Sequence, residues 1–370
     1  MRRPQLLLLV FLFLFIAMFS ETNFTVRGAQ AADQRRQIYF PLVSTPKSKL
    51  IGMYFQQGSV ANQETYATIV EPMKKWSGGK LSIIGTFVNF DGSGDYDYSV
   101  YKQLHTIWNN GYVPFVNIQV AATAYEVASG NKDSEIRNWA QAYKNFANGP
   151  NGLIRMAYLA PLQEMNSCQS GGCWTVWGGD PGNYKIAFRR IRQIFDKEGV
   201  PSASVRWVFA PNGWSHYKYD HPFEDYYPGE EWVDVVAISA YNFGSCTSSS
   251  WKSPQKVFNN PNYSHPSGGA YLDRMQAMAP GKPIFISQTG TTGSNGSKNS
   301  WLDEAHDYLA NYSGVYGVLY FNMKTQCDWR VYSPPEVLYN GYADGVLNSI
   351  YKYRAPEEIR DDPLFLTRKN

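Results

Sequence analysis

The stretch KPIFISQTG, residues 282–290, has the pattern of a buried strand that ends in a polar loop. Pro283 precedes an apolar run from Ile284 to Ile286, and Gly290 opens a turn-rich segment. A run that is apolar at every position, rather than at alternate positions, is typical of a strand covered on both faces of a parallel sheet. The stretch therefore predicts a parallel strand that carries Gln288 at its carboxyl end.

Seven further apolar runs of this kind recur along the chain, and helix-like stretches separate them. The eight candidate strands are residues 50–55, 81–90, 112–120, 154–162, 205–212, 233–242, 283–288 and 315–322. The clearest amphipathic stretches between them are residues 135–146, 183–199 and 300–312. Eight strands that alternate with helices predict a single (β/α)8 TIM-type barrel of the α/β class, and a doubly wound open sheet is the alternative.

The ends of the chain differ in pattern from this central part. Arg2 and Arg3 precede an apolar run over residues 6–19, and Ala29-Gln30-Ala31 has the small-x-small pattern of a cleavage site. We therefore expect a secretory signal over residues 1–31 and an extracellular protein without membrane contact after cleavage, with an uncleaved anchor as the alternative. Residues 32–48 are expected to form a leader, residues 49–354 the barrel, and residues 355–370 a charged C-terminal tail.

Composition and charge favour a neutral partner. The chain has 370 residues, 44% of them hydrophobic and 18% charged, which suits a large buried core. Its formal net charge is +3, and removal of residues 1–31 would leave +1. A nearly neutral protein offers no electrostatic basis for binding nucleic acid. The 11 tryptophans and 27 tyrosines suit a groove that stacks on flat, neutral rings, and we expect a monomer.

The four cysteines favour disulfides, because an exported protein matures in an oxidising environment. Cys168 and Cys173 lie in one short loop and are natural partners, which leaves Cys246 to pair with Cys327. Four free thiols are the alternative. The sequence has no C-x-x-C motif and its five histidines are scattered, so we expect no metal and no cofactor.

Glu164 is the most informative polar residue at a predicted strand end. In a barrel of this type the carboxyl ends of the strands carry the functional residues. Glu164 directly follows the fourth apolar run, and Trp174 and Trp177 follow it in the loop. A carboxyl group among aromatic rings is partly desolvated, which raises its pKa towards that of a general acid. The structural alternative is a buried salt bridge with Arg155 or Arg206.

Several motifs together resemble glycoside hydrolase family 26, which contains β-mannanases and some β-glucanases. The motifs are LQEMN (162–166), CWTVWGG (173–179), YKIAFRRIRQIF (184–195), VRWVFAPNGW (205–214), VVAISAYN (235–242), PIFISQTG (283–290) and CDWRVY (327–332). The resemblance extends over most of residues 50–350. It implies a (β/α)8 barrel that hydrolyses a β-linked neutral polysaccharide, with β-1,4-mannan as the first choice and β-1,3-1,4-glucan as the second.

The resemblance also assigns roles to individual residues. It implies that Glu164 is the general acid/base and that Tyr241 hydrogen-bonds the nucleophile. Trp174, Trp177 and Trp301 correspond to aromatic residues of the substrate groove. Further substrate contacts are expected from Gln163, Asn166, Asn212, Asp328 and Trp329.

Two positions depart from the family pattern. Gln163 stands where the family has a histidine, and Gln288 stands where it has the nucleophilic glutamate. A neutral carboxamide is a far poorer nucleophile than a carboxylate. Three interpretations follow: a hydrolase in which Asp328 or Asp91 replaces the missing carboxylate, a barrel that binds polysaccharide without cleaving it, or a scaffold with an unrelated role.

Overall fold

The structure is a computed structural model that describes residues 48–56, 59–90, 96–214, 220–247, 249–260 and 269–366. The predicted signal and all but the last residue of the predicted leader lie outside these residues. Within the described residues, eight parallel strands form a closed barrel in which neighbours in sequence are neighbours in space. The prediction of a (β/α)8 barrel is therefore confirmed, and the open-sheet alternative is wrong. The strands are β1 Leu50–Tyr54, β2 Leu81–Phe90, β3 Val113–Val120, β4 Ala157–Pro161, β5 Val205–Phe209, β6 Val235–Asn242, β7 Ile284–Thr291 and β8 Val315–Phe321.

Helices surround the barrel and fill the connections between its strands. The α-helices are α1 Gln63–Thr65, α2 Glu71–Trp76, α3 Gln103–Asn109, α4 Ala124–Ala128, α5 Asp133–Ala147, α6 Pro181–Lys197, α7 Pro254–Phe258, α8 Tyr271–Met278, α9 Lys298–Asn311, α10 Gly341–Val346, α11 Pro356–Arg360 and α12 Pro363–Leu366. Tyr66–Val70 and Asp97–Lys102 are π-helical. Short 3₁₀ turns are Ser59–Ala61, Pro150–Gly152, Ser202–Ser204, Phe223–Tyr226, Glu230–Trp232 and Gly244–Thr247. No helix in the described ranges has the length and apolar character needed to cross a membrane.

The spacing of apolar residues explains why the longest helices form where the sequence predicts them. Helix α5 buries Ile136, Trp139, Ala140 and Tyr143, which recur at the three- and four-residue spacing of one helix face. Helix α6 follows the same rule, and the side chain of its N-cap residue Asp180 accepts a hydrogen bond from the backbone of Asn183. Both helices therefore have an apolar face for packing and a polar face for solvent.

Strand β7 continues three residues further than predicted. The sequence becomes polar at Gln288, but residues up to Thr291 still pair with β6, where Ser239 lies opposite Gln288 and Asn242 lies opposite Thr291. The backbone hydrogen bonds come from the partner strand, so a local change in polarity does not end the strand. Gln288 therefore lies within β7, inside the barrel wall, rather than in a loop.

The chain after residue 354 packs against the amino-terminal end of the barrel. Ile359 of α11 is fully buried. The Arg206 guanidinium donates to the carbonyl oxygen of Arg360 at 2.8 Å, and Arg360 donates to the carbonyl oxygen of Ile154, also at 2.8 Å. Asp362 accepts a hydrogen bond from Tyr316 at 2.6 Å. The described part of the predicted C-terminal tail, residues 355–366, is thus bonded to segments that begin strands β4, β5 and β8.

Both predicted disulfides are present. Cys168 bonds Cys173 across a short two-stranded hairpin, Cys168–Gln169 with Gly172–Cys173. Cys246 bonds Cys327 over a sequence separation of 81 residues. The second disulfide ties the loop that follows β6 to the loop that follows β8, and both loops lie at the carboxyl ends of the strands.

Replacement of the long-range disulfide by serines (Cys246→Ser with Cys327→Ser) is expected to lower the free energy of unfolding by about 4 kcal/mol, because a long closed loop loses most chain entropy in the unfolded state. The matched control is Cys168→Ser with Cys173→Ser. The disulfide that it removes joins residues only five positions apart in sequence, so its loss should lower the free energy of unfolding by about 2 kcal/mol. Guanidinium unfolding of both variants measures the difference. An equal loss in the two variants would contradict this entropic explanation.

Candidate active site

Glu164 lies just past β4 in a backbone that both neighbouring strands hold in place. The N–H of Leu162 donates to the carbonyl oxygen of Ile118 in β3 at 2.9 Å, and the N–H of Glu164 donates to the carbonyl oxygen of Ala210 at 2.8 Å. Leu162 and Glu164 both have left-handed backbone angles, with φ of 55° and 57°. Such angles cost a non-glycine residue about 1–3 kcal/mol and persist where the surrounding structure over-determines them, most often at functional sites.

The surroundings of the Glu164 carboxyl favour its protonated form. Burial raises its pKa above the ordinary value of 4.5, and a hydrogen bond with the Ser239 side chain partly opposes this effect. Arg155 donates to the carbonyl oxygen of Phe146, and Arg206 donates to that of Arg360, both at the opposite end of the barrel. The salt-bridge interpretation of Glu164 is therefore wrong, and the pKa of its carboxyl is shifted in the direction expected of a general acid.

Gln288 is held beside Glu164 by residues of β6. The pairing of β6 with β7 shifts register between Ile238 and Ser239, which places Gln288 opposite Ser239. Such an irregularity re-aims a side chain. The Tyr241 hydroxyl donates to Oε1 of Gln288 at 2.9 Å, and the charge of Glu164 raises the pKa of Tyr241 in addition to the larger effect of burial. Tyr241 therefore links the carboxyl of Glu164 and the carboxamide of Gln288 in one site.

Aromatic side chains form a wall along this site. The ring of Tyr54 lies 5.7 Å from that of Phe321, centroid to centroid, and Phe321 lies 6.1 Å from Tyr241. Tyr54 accepts a hydrogen bond from Asn117 of β3 at 2.8 Å. Gly85 makes room for this ring, because a Cβ atom at that position would lie 2.4 Å from it. The site thus joins one carboxyl, several amides and an apolar wall.

The two tryptophans after β4 have different environments. Trp174 follows the disulfide hairpin and is 79% exposed. Trp177 is 5% exposed, and its indole N–H donates to the carbonyl oxygen of Gln163 at 2.9 Å. Trp174 therefore offers an open face for stacking, whereas Trp177 supports the strand end from behind. Gln163 itself is buried, and its Oε1 has no hydrogen-bond partner among the described residues.

Asn166 and Asn212 form a reciprocal pair that joins the ends of β4 and β5. The Asn166 amide donates to the carbonyl oxygen of Asn212 at 2.8 Å, and the N–H of Asn212 donates to Oδ1 of Asn166 at 2.8 Å. The Asn212 side chain accepts a hydrogen bond from the backbone of Trp214. Both amides thus organise the loops around Glu164, which is a supporting role beside the predicted substrate contact.

Trp329 and Trp301 both contact the segment that follows β6, at Phe243 and Lys252 respectively. The Trp329 ring lies 4.9 Å from that of Tyr241 and is 4% exposed, so it packs behind the tyrosine that bonds Gln288. Trp301 begins the buried face of α9 and is 2% exposed. Its indole N–H donates to the carbonyl oxygen of Lys252 at 2.9 Å. Both rings offer little surface for stacking; Trp329 supports Tyr241, and Trp301 packs against Phe258.

Asp328 is engaged away from Glu164. Its carboxylate receives two hydrogen bonds from Arg330, at 2.9 and 2.7 Å, and its side chain is 43% exposed. This pairing holds the pKa of Asp328 below its ordinary value. Asp328 also lines a cavity of about 450 Å³ together with Lys298 and Tyr339. An ion-paired carboxylate is a poor replacement for the nucleophile. Asp91, the other candidate, lies outside the described residues.

Sequence reasoning missed Tyr54 and Ser239. Ser239 lies two residues before Tyr241 in β6, and side chains at that spacing point to the same face of a strand. Tyr54 is the last residue of β1, where a functional side chain is expected in a barrel. Both would have been found if the search for polar residues at strand ends had included the last few residues within each strand.

Loss of the Ser239 hydroxyl is expected to raise the pKa of Glu164 further, because its hydrogen bond is what lowers that pKa. A general acid works only while protonated, so activity falls as pH rises through the pKa of Glu164. Ser239→Ala should therefore move the alkaline limb of the pH–activity profile to higher pH. Ser167→Ala is the matched control, because the Ser167 hydroxyl donates to the backbone carbonyl of Glu164 at 2.7 Å and not to its carboxyl. A limb that moves to lower pH in Ser239→Ala would contradict this assignment.

Comparisons with known proteins find sequence similarity to glycoside hydrolases. The model of glycosyl hydrolase family 26 matches residues 101–263. Endoglucanase H of Acetivibrio thermocellus is 27% identical over 293 residues, which cover 76% of this chain and 29% of that protein. A mannan endo-1,4-beta-mannosidase of Bacillus subtilis is 24% identical over 232 residues, which cover 54% of each. The matched part is thus about a third to a half of the length of these curated relatives.

Solved structures show the same fold at low sequence identity. A β-mannanase from Bacteroides ovatus superposes with a TM-score of 0.59 at 16% identity and covers 88% of this chain and 95% of that one. A modular endo-β-1,4-mannanase from Cellulomonas fimi has a TM-score of 0.57 at 13% identity and covers 88% and 75%. At such identities the likeness establishes the barrel and nothing more specific.

Proposed function

We propose that the chain is a member of glycosyl hydrolase family 26, whose model matches residues 101–263, and that it hydrolyses a β-linked polysaccharide. Glu164 acts as the general acid/base at the carboxyl ends of the barrel strands. The observation that carries the proposal is the half-buried Glu164, whose carboxyl has a raised pKa and whose backbone is left-handed. A carboxyl whose pKa is raised holds its proton to higher pH, and a protonated carboxyl can protonate the oxygen of a glycosidic bond as that bond breaks.

We propose a neutral polysaccharide as the partner. One relative is named a mannan endo-1,4-beta-mannosidase and another an endoglucanase, which makes β-1,4-mannan the first backbone to test and β-1,3-1,4-glucan the second. The exposed indole of Trp174 supports this choice, because aromatic faces stack on neutral sugar rings. We further propose that the protein is a secreted monomer, in keeping with its two disulfides.

Gln288 favours a second candidate function, a barrel that binds polysaccharide without cleaving it. In the two-carboxylate mechanisms, retaining and inverting glycosidases both use a second carboxylate, as nucleophile or as base. The position bonded by Tyr241 holds a neutral carboxamide, which still binds sugar hydroxyls. In this candidate function the groove and its aromatic residues remain in use while turnover is lost.

Turnover separates the two candidates. The purified protein is incubated for long periods with mannan, glucomannan and mixed-linkage β-glucan beside the Glu164→Ala and Gln288→Glu variants, and reducing ends are measured. The proposal expects a slow release of reducing ends that Glu164→Ala abolishes. Activity in the Gln288→Glu variant alone would identify the natural protein as a binder.

Binding is measured separately by affinity electrophoresis in gels that contain each polysaccharide. Trp174→Ala should weaken retardation by about tenfold in affinity, because an exposed stacking face contributes about 1–2 kcal/mol to binding. Trp232→Ala is the matched control, since Trp232 precedes β6 at the opposite end of the barrel. Equal retardation of all three proteins would exclude a role for the Trp174 face.

A further inference from the structure

We propose that this site cleaves its substrate with the help of a 2-acetamido group carried by the sugar itself. The substrate would then contain β-linked 2-acetamido-2-deoxy sugars of gluco or galacto configuration at the bond that is cleaved. The inference rests on the proposed function and names the substrate class of the same site. Under this inference, plain mannan and glucan bind to the site but are cleaved slowly.

The first observation is that the site has a proton donor without a second carboxylate. Glu164 is the one carboxylate among the groups whose charge acts on Tyr241, the others being Tyr54 and Tyr320. Asp328 is paired with Arg330. Among the described residues, therefore, nothing supplies the nucleophile or base that a two-carboxylate mechanism needs. Glu164, half-buried and with a left-handed backbone, nevertheless has the properties of an acid catalyst. We therefore take the nucleophile from the substrate, and an acetamido group is such a source.

The second observation is the hydrogen-bonding capacity of Gln288. Its Oε1 accepts one hydrogen bond from Tyr241 at 2.9 Å, and a carboxamide oxygen has a second lone pair for another donor. The N–H of an acetamido group fits that lone pair. This contact would orient the acetamido group and make its carbonyl oxygen more electron-rich. A carboxylate is not required at this position, because the attacking atom belongs to the substrate.

The third observation is the environment that the acetamido group would enter. Gln163 Oε1, one residue before Glu164, is buried and has no partner among the described residues, so a hydroxyl or amide hydrogen of a bound sugar would satisfy it. Tyr54, Phe321 and Tyr241 form a continuous apolar wall, with centroid distances of 5.7 and 6.1 Å. Such a wall suits the acetamido methyl group, which a plain mannan or glucan lacks.

The reaction balances with water as its only co-reactant. Glu164 gives its proton to the glycosidic oxygen as the bond from that oxygen to the anomeric carbon breaks. The acetamido carbonyl oxygen bonds the anomeric carbon from the opposite face and forms a cyclic oxazolinium ion. Water then attacks the anomeric carbon, the bond to the acetamido oxygen breaks, and Glu164 takes a proton from the water. The attack requires the acetamido group to lie trans to the leaving oxygen, which excludes a β-linked sugar of manno configuration.

The test uses the full chain and the thiazoline analogues of the oxazolinium ion derived from N-acetylglucosamine and N-acetylgalactosamine. These analogues probe the cleavage position whatever the linkage of the natural substrate. Calorimetry should show that at least one thiazoline binds about a hundredfold more tightly than its parent sugar, as expected of an intermediate analogue. Gln288→Ala should remove about tenfold of that affinity. Gln119→Ala, which changes a glutamine of strand β3, a strand not adjacent to β7 in the barrel, is the control that should retain it.

Oligosaccharides test turnover in parallel. The β-1,4-linked hexasaccharide of N-acetylglucosamine is compared with its de-N-acetylated form, with mannohexaose and with cellohexaose. If a plain hexasaccharide is cleaved in a Glu164-dependent manner and neither thiazoline binds more tightly than its parent sugar, the inference is overturned and the proposed function stands. If no hexasaccharide is cleaved and neither thiazoline binds, both fail. Tight thiazoline binding that depends on Gln288 supports the inference even if the β-1,4 linkage is not the one cleaved.

Discussion

Glu164→Gln is expected to lower polysaccharide cleavage by about a thousandfold or more and to leave polysaccharide binding unchanged. The substituted carboxamide has nearly the shape of the protonated carboxyl, so it keeps the packing of the strand end. It has no acidic proton to give to the glycosidic oxygen. The effect should therefore appear in kcat, with little change in the affinity for the polysaccharide.

The same substitution is expected to stabilise the fold above neutral pH. Because burial raises the pKa of Glu164 in the folded state above its ordinary value of 4.5, the folded protein disfavours the charged carboxylate. This penalty is absent below the unfolded pKa and grows as pH rises through the folded pKa. The glutamine of the variant cannot ionise, so the variant does not incur this penalty. Its melting temperature should match that of the natural protein at acidic pH and exceed it at alkaline pH.

Reducing-end assays and thermal melts on the same preparations measure both effects. Glu230→Gln is the matched control, because Glu230 is an exposed glutamate in the turn before β6, at the other end of the barrel. It should leave both quantities unchanged. A Glu164→Gln variant that retains full activity would remove Glu164 from the mechanism. A variant with lower stability at all pH values would instead indicate a structural role.

The fold could be predicted because its strands are encoded locally. Each barrel strand is a continuous apolar run, and all eight runs form strands close to the predicted bounds. The end of β7 was not predictable in this way, because the hydrogen bonds that extend it to Thr291 come from β6. Residues close in space but far apart in sequence make that pairing, and no local pattern reports it.

The candidate site was predictable in part for the same reason. Glu164 and Gln288 stand at strand ends that the sequence marks, and the barrel brings them together through Tyr241. Trp174 and Trp177 are chemically identical and three residues apart, so their sequence does not distinguish the exposed ring from the buried one. The distinction arises from the turn that follows the Cys168–Cys173 hairpin, which directs the Trp177 indole to the carbonyl oxygen of Gln163.

Gln288→Glu is expected to raise the cleavage of plain β-1,4-mannan or mixed-linkage β-glucan by about a hundredfold or more. The substitution supplies the carboxylate that a retaining mechanism needs. Tyr241 already donates to the oxygen at this position at 2.9 Å, so the new carboxylate inherits a hydrogen-bond donor. Its negative charge also opposes ionisation of Glu164, whose pKa is already raised by burial, and this keeps the proton on the general acid.

Covalent trapping gives the sharpest measurement of this change. A retaining nucleophile attacks an activated 2-deoxy-2-fluoro glycoside and keeps the sugar as a stable ester, because the fluorine slows its hydrolysis. Intact-mass analysis should show one added sugar on the Gln288→Glu variant and none on the natural protein. Addition of Tyr241→Phe to the variant should reduce the rate of trapping, because the donor that holds the carboxylate is lost.

The control is Gln119→Glu, which places a carboxylate in strand β3, a strand that is adjacent to neither β6 nor β7 in the barrel. If position 288 is the missing nucleophile, only the Gln288→Glu variant gains activity and traps the sugar. A gain of equal size in Gln119→Glu would mean that any added negative charge near the strand ends is sufficient. If neither variant gains activity, a carboxylate at position 288 is not sufficient for the cleavage of plain polysaccharides. An acetamido-bearing sugar would then be the remaining candidate substrate.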